Sequence, residues 1–235
     1  KYYHEWALRI MKGDLGGVFY GLPLYPFFVA FLYKLFGVSI LAVKWTQILL
    51  GIVTLYFIYR SGKILFDARA AFWGTVLAAF YGPIVFHEGI FIPETLALPL
   101  YAASFVACCA LMEKPSLRSA VLTGLCMGLA ALTKAGIILF VFLYLAYFLM
   151  KVRSAQKGKV VFLCLAAFFF TLAPVTAHNW FRGKDLVPLT SHAGFNFYVG
   201  NHPGAEGVFS APEGTGSNVD AQIEDSRQIA ESAAG

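Results

Sequence analysis

The stretch Phe86-His87-Glu88-Gly89-Ile90-Phe91-Ile92-Pro93-Glu94 places three ionisable side chains between two long apolar runs. The runs cover residues 70–86 and 95–112, and a helix needs roughly 20 apolar residues to cross a bilayer. A carboxylate beside hydrocarbon is costly, so it usually faces a protein interior or a watery cavity and tends to be functional. The stretch therefore predicts a turn between two transmembrane helices and a first candidate site.

The composition of the whole chain is that of a membrane protein. Its 235 residues are 59% hydrophobic and only 13% charged, whereas soluble domains carry about 25% charged residues. A net charge of +5 would suggest nucleic-acid binding in a soluble protein. Here the basic residues cluster between apolar runs, so they indicate membrane topology and no nucleic-acid partner.

Six apolar runs predict an all-α polytopic membrane protein with about six transmembrane helices. Two of the runs are short and join at Thr133-Lys134-Ala135-Gly136, which is compatible with tilted or partly re-entrant helices. The six runs cover residues 40–59, 70–86, 95–112, 118–133, 136–150 and 160–177.

The distribution of Lys and Arg predicts the orientation, because basic residues favour cytoplasmic loops. Alternate loops are basic, whereas the opposite short loops hold only Lys134. We therefore expect residues 1–38 to form a first extracytoplasmic loop, residues 39–177 the transmembrane core, and residues 178–235 an extracytoplasmic loop or the start of a soluble region. The basic loop residues are Arg60, Lys63, Arg69, Lys114, Arg118, Lys151, Arg153, Lys157 and Lys159.

Residues 22–37 are apolar but short, and a seventh span there would disturb the charge balance. We interpret them as an interfacial helix on the outer surface, entered at Pro23 and Pro26 and closed by Gly37. The chain starts on Lys1 without a signal-peptide pattern. We expect it to be a fragment, truncated in its last outer segment.

Motifs of soluble enzymes are absent from the sequence. It has no phosphate-cradling glycine loop and no GxSxG, and the pairs His4-Glu5 and His87-Glu88 lack the second His of HExxH. The cysteines show no CxxC spacing, so packing is favoured over metal binding or disulfides. They are Cys108, Cys109, Cys126 and Cys164. We expect no cofactor to be required; a divalent metal at His87 and Glu88 is conceivable but unsupported.

Two residues are the leading candidates for chemistry. Glu94 could accept a proton from an acceptor or orient a neighbouring base, although an acid at a helix start also simply favours the helix dipole. Lys134 could bind an anionic leaving group such as a phosphate, although it could also extend to the interface only for solvation. His87 and Glu88 could supply supporting hydrogen bonds.

Other polar residues of the outer segments could line the same outward cavity, because alternate loops meet on one membrane face. For His4, Glu5 and Asp14 a solvated surface position is the favoured alternative. The possible cavity-lining residues from the topology are Tyr3, His4, Glu5, His87, Glu88, His178 and Asn179.

Several short motifs occur in an order that resembles membrane glycosyltransferases of the GT-C class, specifically the protein mannosyltransferase and aminoarabinose-transferase-like group of family 39. They also add Tyr25 and Asn196 to the possible cavity-lining residues. The motifs are Tyr3-x-x-x-Ala7, Pro23-Leu24-Tyr25-Pro26, Phe36-Gly37, Ala42-Val43-Lys44, Arg60-Ser61-Gly62-Lys63-Ile64-Leu65-Phe66, Gly82-Pro83, Glu94, Leu132-Thr133-Lys134, His178-Asn179 and Gly194-Phe195-Asn196-x-x-x-Gly200-Asn201.

The resemblance implies a GT-C-like fold and inverting transfer of a sugar from a polyprenyl-phosphate donor. The transfer would occur on the outer face of a bacterial inner membrane, to a lipid, protein or polysaccharide acceptor. It also implies a principal catalytic Asp four residues before Tyr3, which is two positions before Lys1, so the fragment alone is expected to be inactive. Glu94 matches a second acidic position, and Leu22 stands where some relatives carry a charged residue.

Two readings from other classes stay open at this point. A transporter or channel subunit also places ionisable residues at helix breaks, but it usually does so near the membrane midplane and within internal repeats. The outer position of Glu88 and Glu94 and the lack of a convincing repeat favour the transferase. A non-catalytic membrane scaffold that presents the outer tail is the third reading.

Overall fold

A computed structural model describes residues 1–184, 186–201, 221, 222, 224, 225 and 228. The described residues form helices and no strand. Most of the predicted outer segment beyond residue 201 lies outside them. The helices are α1 (Tyr2–Met11), α2 (Leu24–Phe36), α3 (Ile40–Leu65), α4 (Ala68–Ala79), α5 (Gly82–Glu88), α6 (Glu94–Glu113), α7 (Leu117–Thr133), α8 (Ile137–Lys151), α9 (Lys157–Gly183) and α10 (His192–Asn201).

The fold class predicted from the sequence, an all-α polytopic membrane protein, is confirmed. Each of the six apolar runs forms helix at the expected place, as α3, α4 with α5, α6, α7, α8 and α9. By length and composition, α3, α6 and α9 are membrane spans, and α4 with α5 makes a fourth if the pair is counted as one. The helices α7 and α8 have 17 and 15 residues, shorter than the roughly 20 that a span needs.

One predicted helix is interrupted. The run 70–86 was expected to be continuous, but α4 ends at Ala79 and α5 starts at Gly82, with a bend of 56° between them. Pro83 lies in the first turn of α5. A proline lacks the backbone N–H that would continue the helix and clashes with the preceding turn, so the helix stops and starts again in a new direction.

The centre of the bundle is the close contact between α7 and α9. Gly124 and Gly128 of α7 lie directly against the backbone of Cys164 and the side chain of Thr171 on α9, where a Cβ would overlap the neighbouring atoms. Small residues four apart let two helix backbones approach closely, which is how membrane helices gain dispersion contacts. The helix α7 also packs on α6, and α6 in turn packs on α3.

Polar side chains define where several helices begin. Ser39 accepts the backbone N–H of Ala42 at the start of α3, and Asp67 accepts that of Ala70 at the start of α4. Ser116 and Ser119 form a reciprocal capping box at the start of α7. Each cap satisfies an N–H group that the helix itself leaves without an acceptor.

The helix predicted over 22–37 is present as α2. It starts after Pro23 and ends at Gly37, whose φ of 75° favours glycine. One face packs on α1, and the other exposes large apolar side chains. That exposed face suits a helix lying along a membrane surface; this orientation stays a prediction. The exposed side chains are Phe27, Phe31, Leu35 and Phe36.

Candidate functional site

The two leading candidates, Glu94 and Lys134, are in direct contact. The Lys134 ammonium donates a hydrogen bond to Glu94 Oε1 at 2.5 Å, which joins the first residue of α6 to the residue after α7. The Lys134 side chain is 53% exposed and the Glu94 side chain 29%. The ion pair therefore has one face on the protein and one face open to an incoming molecule.

Local structure around the pair explains why the two side chains meet. Pro93 caps α6, so Glu94 is the first helical residue and its carboxylate lies at the positive end of the helix. Lys134 has extended backbone angles just after α7. Its carbonyl accepts the Tyr101 hydroxyl of α6 at 2.8 Å. That bond satisfies a carbonyl at the helix end and fixes the turn that carries the lysine.

A hydrogen-bond network built on two buried side chains supports the approach to Glu94. The Tyr25 hydroxyl donates to Gln47 Oε1 at 2.7 Å. Gln47 Nε2 donates in turn to the carbonyls of Glu88 at 2.8 Å and Ile90 at 2.9 Å. Both side chains are completely buried. The network therefore ties α2 and α3 to the turn that leads into Glu94, and an apolar surrounding makes these bonds costly to break.

Gln47 and Tyr101 were not among the residues predicted from the sequence. Gln47 did carry a signal, because an amide in the middle of an apolar run must find partners inside the protein. Tyr101 carried no such signal, because aromatic residues make up 17% of the chain and nothing in the sequence distinguishes this one. Its role depends on which helix faces the turn at Lys134, and only the packing shows that.

Tyr3 lies beside the ion pair. Its ring meets that of Tyr25 edge to face at 5.1 Å. Burial, and to a smaller extent the negative charge of Glu94, raises the pKa of Tyr3 to about 12. The phenol is therefore neutral at physiological pH and available as a hydrogen-bond donor next to the carboxylate.

The remaining residues of the first outer segment have different surroundings. His4 Nδ1 and the Tyr33 hydroxyl share a hydrogen bond of 2.6 Å, so His4 has a partner on α2; its place in a cavity lining stays a prediction. The Tyr33 hydroxyl on α2 can reach His4 on α1 because the two helices pack together. Glu5 is exposed with Lys1 3.8 Å away, and Asp14 is exposed; both fit the solvated alternative.

The side chains of His87 and Glu88 lie at the end of α5, near the pair. The Glu88 carboxylate sits over Gly51 of α3, where a larger residue would collide with it. A positive charge on the His87 ring would lower the pKa of Glu94. Within the described ranges, no three His, Cys, Asp or Glu side chains are grouped to hold a metal ion. Whether a metal is needed stays open.

Two of the predicted residues of the last outer segment, His178 and Asn179, form a separate cluster with the loop at residues 17–19. His178 stacks on Phe19 with ring centroids 4.3 Å apart, and its Nε2 donates to the Gly17 carbonyl at 2.9 Å. Asn179 is completely buried and accepts the Phe19 N–H at 3.0 Å. Asn196 is exposed on α10. His178 and Asn179 lie at the same end of the bundle as the ion pair. They form hydrogen bonds to loop residues and do not contact Glu94 or Lys134.

An apolar groove of about 400 Å³ opens between α2, α7 and α9. Leu132 in its wall is two residues before Lys134, and His178 lies at another edge of the groove. The groove therefore joins the apolar surface of the bundle to the end that carries the charged pair. Its other lining residues include Pro23, Leu24, Phe27, Pro174 and Val175.

The chain was compared with known proteins. No curated protein and no solved structure matches it. The sequence model of one family, described as Dolichyl-phosphate-mannose-protein mannosyltransferase, matches residues 21–178. The match covers about two thirds of the 235 residues and includes Glu94, Lys134 and Gln47. The family resemblance expected from the motifs is thereby confirmed: the chain belongs to the Dolichyl-phosphate-mannose-protein mannosyltransferase family, which implies membrane glycosyltransferase activity.

Proposed function

We propose that the intact protein transfers a sugar from a polyprenyl-phosphate donor to an acceptor on the outer face of a bacterial inner membrane, with inversion at the anomeric carbon. The observation that carries the proposal is the half-open ion pair of Glu94 and Lys134 within the matched family region. The wall of an apolar groove includes Leu132, two residues before Lys134 in the chain. A lipid-linked phosphate needs a cation for its head group and an apolar surface for its chain at the same place.

Lys134 is the proposed contact for the donor phosphate. An ammonium group has three N–H donors, and one of them is directed to Glu94. The exposure of the side chain leaves the others toward solvent. A positioned cation stabilises the negative charge that develops on the leaving phosphate in the transition state.

Glu94 is proposed to hold Lys134 in position. In the reaction the acceptor oxygen forms a bond to the anomeric carbon, the bond to the phosphate oxygen breaks, and the acceptor loses its proton. A carboxylate already paired with an ammonium is a weak base. We therefore assign the proton to the Asp that the resemblance implies four residues before Tyr3, and a supporting role to Glu94.

The apolar groove is proposed to receive the first part of the isoprenoid chain. Leu132 of α7 lines the groove two residues before Lys134, so a lipid lying in the groove would bring its phosphate towards the cation. The exposed apolar face of α2 would rest on the membrane surface above the point where the chain enters.

The proposal is tested by a transfer assay on the full-length protein with a small panel of polyprenyl-phosphate sugars. We expect turnover with at least one donor, and a loss of at least about tenfold in Glu94→Gln, because Lys134 would lose the carboxylate that positions it. Glu5→Gln is the matched control, because Glu5 is an exposed carboxylate away from the pair.

Two results would contradict the proposal. One is the absence of transfer from every donor in the panel by a folded, full-length protein. The other is equal turnover by the wild type and Glu94→Gln at the same expression level, which would remove Glu94 from the site.

A further inference from the structure

A second pocket lies on the outer side of α1, away from the charged pair. Its volume is about 350 Å³, within the size range of small-molecule sites. Neither Glu94 nor Lys134 lines it. The residues that matter for its chemistry are Tyr2, Trp6, Arg9, Asp14, Gly16 and Gly17.

The polar groups of this pocket have opposite charges. Arg9 is exposed, and its guanidinium has no ion-pair or hydrogen-bond partner in the part of the chain that the structure describes. Asp14 accepts the Gly16 N–H through Oδ1 at 2.9 Å, and its side chain is exposed. One cation and one anion in a small pocket disfavour a strongly charged ligand. They suit hydroxyl groups, which accept from a guanidinium and donate to a carboxylate.

The half-buried Tyr2 and the edge of the buried Trp6, 5% exposed, supply apolar surface beside these charges. The rings of Tyr2 and Trp6 have centroids 5.6 Å apart and are inclined at 59°. Aromatic side chains offer a large apolar face together with a polar tip. A pyranose ring has the matching character, with C–H groups on one face and hydroxyls around its rim.

The backbone of the pocket is held in place before any ligand binds. The Gly17 carbonyl accepts a hydrogen bond from His178, and the Phe19 N–H donates to the buried Asn179. Farther along the same loop, the carbonyl of Tyr20 accepts from the His192 N–H at 3.2 Å. A preformed wall reduces the ordering that binding would otherwise require.

The position of Tyr3 relates this pocket to the charged pair. Its ring centroid is 5.1 Å from that of Tyr2 and 6.5 Å from that of Trp6. On its other side Tyr3 meets Tyr25 and the charge of Glu94. Tyr3 therefore packs against the two aromatic residues of the pocket and also lies within range of the Glu94 charge.

We infer that this pocket binds a neutral sugar ring of the acceptor. The role of this sugar as the acceptor rests on the proposed function, whereas the binding of a sugar ring in the pocket does not. The matched family is that of protein mannosyltransferases, and a sugar-binding pocket would narrow the acceptor of this chain to one that presents a carbohydrate.

The test uses methyl α-D-mannopyranoside as the probe and the full-length protein in detergent. Saturation-transfer NMR should show saturable binding of the probe. Arg9→Ala and Asp14→Asn should each weaken it by about tenfold or more, as expected for lost hydrogen bonds to charged groups. Glu5→Gln, on the exposed surface of the same helix, should bind like the wild type. Thermal unfolding checks that each variant is folded.

Two further arms separate this inference from the transfer reaction. Glu94→Gln should bind the probe normally, so probe binding without turnover would uphold the pocket while the proposed function failed. Adding a polyprenyl-phosphate mannose should leave the probe bound. Displacement of the probe by that donor would assign the pocket to the donor and overturn the inference. So would a wild type that gives no signal, or folded Arg9 and Asp14 variants with unchanged binding.

Discussion

The cluster around Lys134 and the cluster around Asn179 lie at the same end of the helix bundle but differ in how completely their polar groups are used. The Asn179 amide is fully buried, accepts one backbone N–H and donates to the carbonyls of Val187 and Leu189, both at 3.0 Å. The Lys134 ammonium contacts Glu94 and is otherwise largely exposed.

The difference separates structural from functional polarity. A buried amide whose donors and acceptors are all paired inside the chain contributes to the fold and has nothing left for a ligand. A half-exposed ammonium with spare donors can bind an anion without losing its partner. In the sequence both residues appear only as polar groups at the outer end of an apolar run.

The largest expected effect is on catalysis through Lys134. In the full-length protein we expect Lys134→Met to lower transfer from a polyprenyl-phosphate sugar by about a hundredfold or more, the range seen when a transition-state charge donor is removed. Thermal stability should change little, because the side chain is more than half exposed. Initial rates at saturating acceptor and a thermal-shift measurement check both statements.

Lys12→Met provides the control, since Lys12 is exposed at the end of α1 and outside the pair. If Lys134→Met and Lys12→Met showed the same rate, the lysine at the end of α7 would serve only for solvation.

The second effect is on stability through Asn179. Asn179→Ala should destabilise the protein by about 3 kcal/mol, because it strands a buried N–H and removes two donated bonds. Denaturant unfolding in detergent measures the change. Asn201→Ala is the control, because Asn201 is exposed and bonds only within α10. Loss of transfer with full stability would move Asn179 into the site and remove the contrast between the clusters.

A smaller effect is expected at Gln47, which combines features of the two clusters. Gln47→Leu should lower transfer by about tenfold, because the turn before Glu94 loses its anchor, a displacement far smaller than loss of the cation itself. Donor and acceptor KM should change less than kcat. Thr46→Val on the same helix, whose hydroxyl bonds only to the Ala42 carbonyl, should retain activity. Equal activity of both variants would show that the turn holds its position without Gln47.

The smallest effect is a pH dependence from Tyr3. Its pKa is raised to about 12 by burial and by Glu94, above the roughly 10 of an unfolded chain. The folded state therefore keeps the proton more tightly, and stability is lost as pH rises from about 10 towards 12. Thermal melts across that range should fall more steeply for the wild type than for Tyr3→Phe. Identical slopes would mean that Tyr3 ionises as freely as in the unfolded chain.

Most of the fold was predictable because hydropathy alone locates a membrane helix. The apolar runs at 95–112 and 160–177 appear within α6 and α9. The break at Pro83 was not predicted, although a proline in an apolar run is the signal for one. Helix α1 was not predicted either. It mixes aromatic and charged residues, so its structure depends on packing against α2 and not on hydropathy.

The site was predictable only in part. Glu94 and Lys134 were identified because charge at the end of an apolar run is rare, and the structure places them in contact; their roles stay predictions. The distinction between Asn179 and Lys134 was not predictable, because it depends on partners many residues away, such as Phe19 for Asn179. Asn196 shares the polar character of these residues but lies exposed on α10, apart from both clusters.

The short helices on either side of Lys134 have a consequence for the bilayer. With 15 residues, α8 is about 22 Å long, less than the roughly 30 Å of a hydrocarbon core. A bilayer meets such a helix by thinning around it. The leaflet should therefore be drawn inward at the turn between α7 and α8, and the proposed lipid-phosphate donor would then meet Lys134 without being lifted out of its own leaflet.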